Sequence, residues 1–178
     1  MLIRSLFLVV FVFSSSSLFA ETNSIDNPLI DADTFLQHVS ESHKLRAKRR
    51  LTEAEFIAES KKEGVIILDA RSAQRFKQLH IKNAVSLPFT EFTEATLSKA
   101  IPSKDTKILI YCNNNVRNSP IAFASKAIPA SLNLSTYTSL YTYGYRNVYE
   151  LGPLIDPDSS EIEFVGQLAT VIEASANQ

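Results

Sequence analysis

Short apolar runs alternate with amphipathic segments along most of this 178-residue chain. The apolar runs are bounded by polar turn residues, a pattern typical of buried parallel strands. They predict strands at 65–68, 83–87, 106–111 and 147–151. The segments between them space their apolar residues as helices do, and they predict helices at 31–39, 52–62, 73–79, 93–100, 119–127 and 134–143.

Local start signals agree with several of these helices. Thr52 and Glu55 form the Thr-x-x-Glu pattern of a capping box, and Ser72 is a typical N-cap residue. Ser119 and Pro120 have the pattern of an N-cap followed by the first residue of a helix. Because strands alternate with helices, we expect βαβ units and a three-layer α/β domain with a mainly parallel central sheet.

The first 20 residues have the pattern of a secretory signal peptide. Arg4 gives a positive start, 6–13 is an apolar run too short to span a bilayer, and small or polar residues lead to a cleavage site after Ala20. An uncleaved membrane anchor is the alternative interpretation. We expect an exported, periplasmic protein without stable membrane insertion after cleavage.

Overall charge and histidine spacing exclude several classes of function. The formal net charge is −1, so a nucleic-acid partner is not expected. His38, His43 and His80 lack the spacing of metal ligands, so no metal site is predicted. Nothing in the sequence implies a cofactor.

Residues 21–50 are interpreted as an N-terminal helical extension of the domain. Its end is strongly basic, since five of the seven residues in 44–50 are Lys or Arg. Such a run is more often a solvated helix face, which is the favoured interpretation, and the alternative is a site for a membrane surface or an acidic partner.

Cys112 is the only cysteine and directly follows the predicted strand 106–111. Ligands of open parallel sheets bind at the carboxyl ends of the strands, where a thiol can serve as a nucleophile. The alternative is a small buried core residue. An exported chain that can form no internal disulfide exposes a lone surface thiol to oxidation, so keeping one there favours a function for it.

Three motifs, in the right order, resemble those of the rhodanese-like family. The first is Leu-Asp-Ala-Arg-Ser at 68–72 with His-Ile-Lys-Asn-Ala at 80–84. The second is Ile-Tyr-Cys at 110–112 with Arg117 five positions after the cysteine, and the third is Gly-Tyr-Arg-Asn-Val-Tyr-Glu-Leu-Gly at 144–152. The resemblance covers 51–156, which would be the rhodanese-like domain, and leaves 157–178 as a C-terminal tail.

This resemblance implies a sulfurtransferase. Cys112 would take sulfur from a small anion such as thiosulfate, forming a persulfide, and pass it to a thiol or cyanide. The loop after Cys112 would bind the anion through inward-pointing backbone N–H groups, with a cationic clamp from its last residue. These substrate-binding residues would be Asn113, Asn114, Asn115, Val116 and Arg117.

Two further residues of the first motif are candidates for supporting this site. Asp69 and Arg71 lie at the end of the neighbouring strand. The more favoured interpretation is a structural ion pair that fixes the turn from strand to helix. His80 is interpreted as a helix-end or packing residue.

The loop departs from the family pattern in ways that bear on activity. Asn113, Asn114 and Asn115 stand where the family usually has a glycine and often a second basic residue, which makes the loop less positive. Residues 125–134 have the character of an insertion near the site. Gly152-Pro153 stands where the family usually has two glycines after the last strand.

Two alternatives to sulfur transfer stay open. One is a non-catalytic rhodanese-like module that binds a partner or senses redox state. The other is phosphatase or arsenate-reductase chemistry, since related folds use a cysteine in an anion-binding loop. The Cys-x4-Arg spacing is one residue shorter than that of the phosphatases and suits a smaller group.

Overall fold

The computed structural model describes residues 27–169. The chain divides into two compact units, 1–31 and 32–178. The described part of the first unit is a turn in which the N–H groups of Leu29 and Ile30 donate to Asn27. The predicted signal peptide, 1–20, lies outside the described residues. No helix within 27–169 is long and apolar enough to cross a membrane.

A parallel sheet of five strands forms the centre of the second unit. The strands are β1 (Arg50–Leu51), β2 (Ile66–Asp69), β4 (Val85–Ser86), β5 (Ile108–Tyr111) and β6 (Val148–Leu151). Their order across the sheet is β1–β6–β5–β2–β4. A separate antiparallel pair joins β3 (His80–Ile81) to β7 (Phe164–Val165). The helices are α1 (Ala32–Arg46), α2 (Glu53–Ser60), α3 (Ala73–Gln78), α4 (Glu94–Ala100) and α5 (Leu132–Thr142).

Alternating residues of the central strand β5 separate two apolar cores. Leu109 and Tyr111 pack on the face that α2 covers, where Phe56 is buried. Ile108 and Ile110 pack on the opposite face, against residues of α4 and α5. The predicted three-layer α/β architecture is confirmed, with β5 buried on both faces as a central parallel strand must be.

Local signals in the sequence explain most element boundaries. The Thr52 hydroxyl accepts a hydrogen bond from the Glu55 N–H, and the Glu55 carboxylate accepts one from the Thr52 N–H, so the capping box is present. Ser72 caps α3 through the N–H of Arg75. Gly144 follows α5 with φ +88°, a left-handed conformation that glycine adopts without strain.

The helix predicted at 119–127 is wrong. One helical hydrogen bond forms there, from the Phe123 N–H to the Ser119 carbonyl. The next turn would require the Lys126 N–H to donate to the Ala122 carbonyl. Instead, Lys126 donates to the side chain of Asn114, and the Ala122 carbonyl accepts from the Arg71 guanidinium. Side chains from elsewhere in the fold therefore bind both the donor and the acceptor of the next helical hydrogen bond. The helix does not continue, and the chain is mostly irregular from there to α5.

The basic run 44–50 is partly used inside the fold. Glu150 on β6 is 1% exposed and accepts hydrogen bonds from Arg46 at 2.5 and 2.6 Å and from Arg50 at 3.0 Å. These contacts fasten the end of α1 and strand β1 to the sheet. Arg46 and Arg50 are therefore structural, whereas Lys44 and Lys48 remain exposed.

Residues after Asp156, set apart above as a tail, pack against the domain as far as they are described. Ile162 is buried in the core on the α2 side, and Phe164 packs edge-on against Phe123. Strand β7 pairs with β3, and Gly166 then brings the backbone close to the carbonyl of Gln78 with φ +135°. The folded unit therefore extends beyond 156.

Candidate functional site

Cys112 lies at the carboxyl end of β5, the central strand of the sheet. It is 1% exposed. Its Sγ accepts a hydrogen bond from the Asn114 N–H at 3.4 Å and lies 3.4 Å from the Ser131 hydroxyl. Both groups can donate to a negatively charged sulfur. The thiol therefore occupies the position predicted for a nucleophile, but it is covered.

The loop after Cys112 begins with a tight turn, Asn113–Asn115. The Asn115 side chain, 7% exposed, points inward and makes four hydrogen bonds. Its Oδ1 accepts from the Cys112 N–H and from Asn133 Nδ2, both at 3.0 Å. Its Nδ2 donates to the carbonyls of Leu151 at 2.7 Å and Pro153 at 3.2 Å. Asn115 therefore joins the loop to α5 and to the end of β6.

The predicted ring of inward-pointing N–H groups does not form in this conformation. The N–H of Asn115 donates to the Cys112 carbonyl, that of Val116 to Asn113, and that of Arg117 to Ile155. Val116 is buried in the core and forms an isolated parallel β-bridge with Ile155. The tight turn at Asn113–Asn115 uses the N–H groups of Asn115 and Val116, and the carbonyl of Ile155 takes that of Arg117.

Arg117 is exposed, whereas Asn113 is buried. The Arg117 side chain is 60% exposed, and its Nε lies 3.5 Å from a carboxylate oxygen of Asp156. The expected clamp on an anion at Cys112 is therefore absent from this conformation, because Asp156 attracts the guanidinium. Asn113 is buried and lines a cleft beside the loop.

Residues 125–131, here called the flap, contact the Cys112 loop at two points, Lys126 and Ser131. Residues 125–130 are exposed, with Ile128 86% exposed, whereas Ser131 at the end of the flap contacts Sγ. The Asn114 side chain pairs with the backbone of Lys126, accepting its N–H at 3.0 Å and donating to its carbonyl at 2.9 Å. The flap falls within the predicted insertion 125–134, of which the last residues begin α5.

A cleft of about 550 Å³ lies beside the loop and the flap, at the same edge of the sheet. Its charged lining residues include Arg75, Lys126 and Glu91, and apolar walls come from residues such as Phe89 and Leu132. Within residues 27–169 no ion pair engages these three charged side chains. The cleft can therefore accept an anionic group close to the flap.

Asp69 and Arg71 form the ion pair expected from the sequence. Arg71 Nη2 lies 2.6 Å from Asp69 Oδ2 with both side chains buried, and the Tyr111 hydroxyl donates to the same carboxylate oxygen at 2.5 Å. Burial alone would lower the pKa of Arg71, but the hydrogen bond and charge of Asp69 outweigh it and raise that pKa. Burial, together with the charge of Asp69, raises the pKa of Tyr111 well above its ordinary value.

This buried cluster links the site to the surrounding scaffold. Arg71 also donates to the carbonyls of Ala122 at 2.9 Å and Leu79 at 2.8 Å, and its guanidinium carbon lies 3.9 Å from the centre of the Phe123 ring. The pair thus holds the segment that leads into the flap. His80 is a packing residue: Nδ1 lies 2.7 Å from the Phe76 carbonyl, and its ring stacks on Phe76.

Sequence reasoning missed Ser131, Asn133 and Tyr111 as members of this site. Ser131 and Asn133 follow Cys112 by 19 and 21 positions, and only the fold brings Ser131 to Cys112 and Asn133 to Asn115. Tyr111 was visible as the strand residue before Cys112, although nothing local indicates that its hydroxyl reaches Asp69. Within the described part of the chain, no group of three His, Cys, Asp or Glu residues is placed to hold a metal ion.

The family profile of the rhodanese-like domain matches residues 52–152. The chain belongs to the rhodanese-like family. The matched residues include every strand of the parallel sheet except β1, and Cys112, Asn115 and the flap all lie within them. No curated protein matches the chain significantly.

Several solved structures are similar to parts of this chain. The BH2092 protein from Bacillus halodurans is 24% identical, with a TM-score of 0.50, over 75% of this chain and 88% of that one. EanB, solved alone and with hercynine, is 22% identical with a TM-score of 0.45; the match covers 58% of this chain but 24% of EanB. A rhodanese from E. coli solved with anions is 20% identical with a TM-score of 0.39, over 57% of this chain and 98% of that one.

Proposed function

We propose that this rhodanese-like protein is a sulfurtransferase that carries sulfur on Cys112. The observation that carries the proposal is the position of the thiol at the carboxyl end of the central parallel strand, with the Asn114 N–H and the Ser131 hydroxyl both 3.4 Å from Sγ. These donors stabilise negative charge on sulfur, both in the attacking thiolate and in the persulfide that it forms.

The proposed cycle has two displacement steps and needs no oxidant. The Cys112 thiolate attacks the outer sulfur of thiosulfate, and the S–S bond of thiosulfate breaks, so that sulfite leaves with the bonding electron pair. An acceptor thiolate or cyanide then attacks the outer sulfur of the persulfide. The S–S bond breaks again, and the Cys112 thiolate is regenerated.

The adjacent cleft supports an anionic donor. Arg75 and Lys126 place two cations at its wall, and neither has an ion-pair partner within residues 27–169. An anion held there would lie beside the flap that covers Sγ. We propose a small sulfur-containing anion as donor and a thiol or cyanide as acceptor, with a protein as a possible acceptor class.

The mass of the protein after incubation with thiosulfate tests this proposal. We expect a gain of one sulfur atom on Cys112, removable by cyanide, because the persulfide is the covalent intermediate. Cys112→Ser is the matched control and should gain nothing. A wild-type thiol that stays unmodified with thiosulfate and with an organic persulfide donor would contradict the proposal.

A second candidate function is partner binding without catalysis. It is favoured by the burial of Cys112 and by the loop donors, since the N–H groups of residues 115–117 already bond to backbone carbonyls. In that case Cys112 acts as a core residue, and the same mass measurement gives no adduct. Sulfur transfer remains the proposal because core packing alone does not explain two donors placed at the sulfur.

We also propose that the protein acts after export, in the periplasm. The support is the sequence pattern of residues 1–20: a positive start, a short apolar run and small residues before Ala20. We expect the mature protein from its native host to begin at or near Glu21, as N-terminal sequencing would report. A mature protein that begins at Met1 or Leu2 would contradict this.

A further inference from the structure

Access to the sulfur atom of Cys112 is closed in this structure. Cys112 is 1% exposed, and the cleft beside it is lined by Asn113, Lys126 and Leu132 but not by Cys112. Ser131 Oγ, 3.4 Å from Sγ, is part of the cover. A reagent therefore reaches the sulfur only after this cover, to which Ser131 at the end of the flap belongs, has moved.

The flap has few attachments to the domain. Residues 125–130 are exposed, and their only regular structure is the short turn Ile128–Ala130, whose hydrogen bonds stay inside the flap. Among the described residues, the hydrogen bonds that tie 125–130 to the rest of the domain are the two from the Asn114 side chain to the Lys126 backbone. A segment with so few buried contacts can open locally at small free-energy cost.

Asn114 is suited to hold such a segment. Its side-chain oxygen accepts the Lys126 N–H at 3.0 Å, and its side-chain NH₂ donates to the Lys126 carbonyl at 2.9 Å. A neighbouring β-strand would pair with the Lys126 backbone in the same way. At the same time its own N–H donates to Cys112 Sγ. One residue therefore contacts both the sulfur and the flap that covers it.

We propose that the flap, residues 125–131, is a lid over Cys112 and that the Asn114 side chain is the latch that keeps it closed. Opening breaks the two Asn114–Lys126 hydrogen bonds and the contact between Ser131 and Sγ, while the domain stays folded. The closed lid shields the thiol from oxidants, and the open lid admits a donor. The proposal concerns access to the thiol and holds whether or not Cys112 transfers sulfur.

The rate of iodoacetamide alkylation of Cys112 in the folded protein tests the lid. Asn114→Ala removes both latch bonds, and we expect alkylation to become about tenfold faster, since two neutral hydrogen bonds no longer oppose opening. Asn114→Asp replaces the donor by a carboxylate oxygen that faces the Lys126 carbonyl, so its alkylation should also be faster than that of the wild type. Ser125→Ala, in the flap but outside the latch, is the matched control and should react as the wild type does.

Denaturant separates local opening from unfolding. At urea concentrations far below the unfolding midpoint, we expect the alkylation rates of the wild type and Asn114→Ala to change little, because lid opening exposes little surface. Equal rates for Asn114→Ala and the wild type would overturn the latch. If the alkylation rate of the wild type instead rises with urea as steeply as global unfolding does, even at the lowest urea concentrations, the sulfur is exposed only by unfolding. That result would overturn the lid. Because neither readout requires persulfide formation, failure of the proposed sulfur transfer leaves this test intact.

Discussion

Replacing Asp69 by alanine is expected to lower the free energy of unfolding by about 3–5 kcal/mol. The Asp69 side chain is fully buried and accepts hydrogen bonds from Arg71 Nε at 2.9 Å, Arg71 Nη2 at 2.6 Å and the Tyr111 hydroxyl at 2.5 Å. Without the carboxylate, Arg71 keeps its charge in a buried position with two backbone carbonyls as partners. An uncompensated buried cation of this kind is among the largest costs that one substitution produces.

Urea unfolding of the wild type, Asp69→Ala and Asp69→Asn measures this effect. Asp69→Asn keeps the shape and one acceptor oxygen but removes the charge. Its free energy of unfolding should therefore fall less than that of Asp69→Ala. Asp105→Ala is the control, because Asp105 is exposed and its change should stay within about 0.5 kcal/mol. A loss below 1 kcal/mol for Asp69→Ala would show that Arg71 finds water or another partner.

Local sequence was sufficient to predict the layers and most elements of this fold. Apolar runs and caps depend on neighbours in the chain, so strand β5, the Thr52 capping box and the Ser72 cap appear as predicted. The short strand β4 was predicted longer than it is, since 83–87 reduces to Val85–Ser86. An apolar run predicts that a strand is present, but the strand ends where its hydrogen bonds to the neighbouring strand end.

The failed helix at 119–127 has a physical cause that the local pattern does not contain. Ser119-Pro120 is a good helix start, and one turn does form. Arg71, about 50 positions earlier, then takes the Ala122 carbonyl, and Asn114 takes the Lys126 N–H. Both competitors are side chains from other parts of the chain, so local propensity yields to tertiary hydrogen bonds.

The candidate site was predictable to a similar degree. The position of Cys112 after a central strand followed from the strand pattern, and the Asp69–Arg71 pair followed from the first motif. The directions of the Arg117 N–H and side chain did not, because they depend on Ile155 and Asp156. These residues come after β6, and the sequence pattern does not show that they pack beside the loop.

Asn115→Asp is expected to lower the free energy of unfolding by about 2–4 kcal/mol at neutral pH, although the two side chains have the same shape. The Asn115 NH₂ group donates to the carbonyls of Leu151 at 2.7 Å and Pro153 at 3.2 Å. The substitution puts a carboxylate oxygen against those two carbonyl oxygens. Since Asn115 also fixes the Cys112 N–H, the loss of these bonds should loosen the loop that holds the thiol.

The pH dependence of this variant supplies a sharper test than its stability alone. Burial and two facing carbonyls should raise the pKa of the new carboxyl group above the unfolded value of about 3.9, so the folded state binds the proton more tightly. The stability deficit is then smallest below about pH 4 and grows as the pH rises through the window between the two pKa values. Asn147→Asp is the control, because the Asn147 amide of the wild type donates one surface hydrogen bond, to the Asp105 carbonyl. Its free energy of unfolding should fall by less than about 1 kcal/mol. A deficit for Asn115→Asp that is independent of pH between 3 and 7 would show that the carboxyl group has turned away from Leu151 and Pro153 into solvent, and that the loop does not depend on this contact.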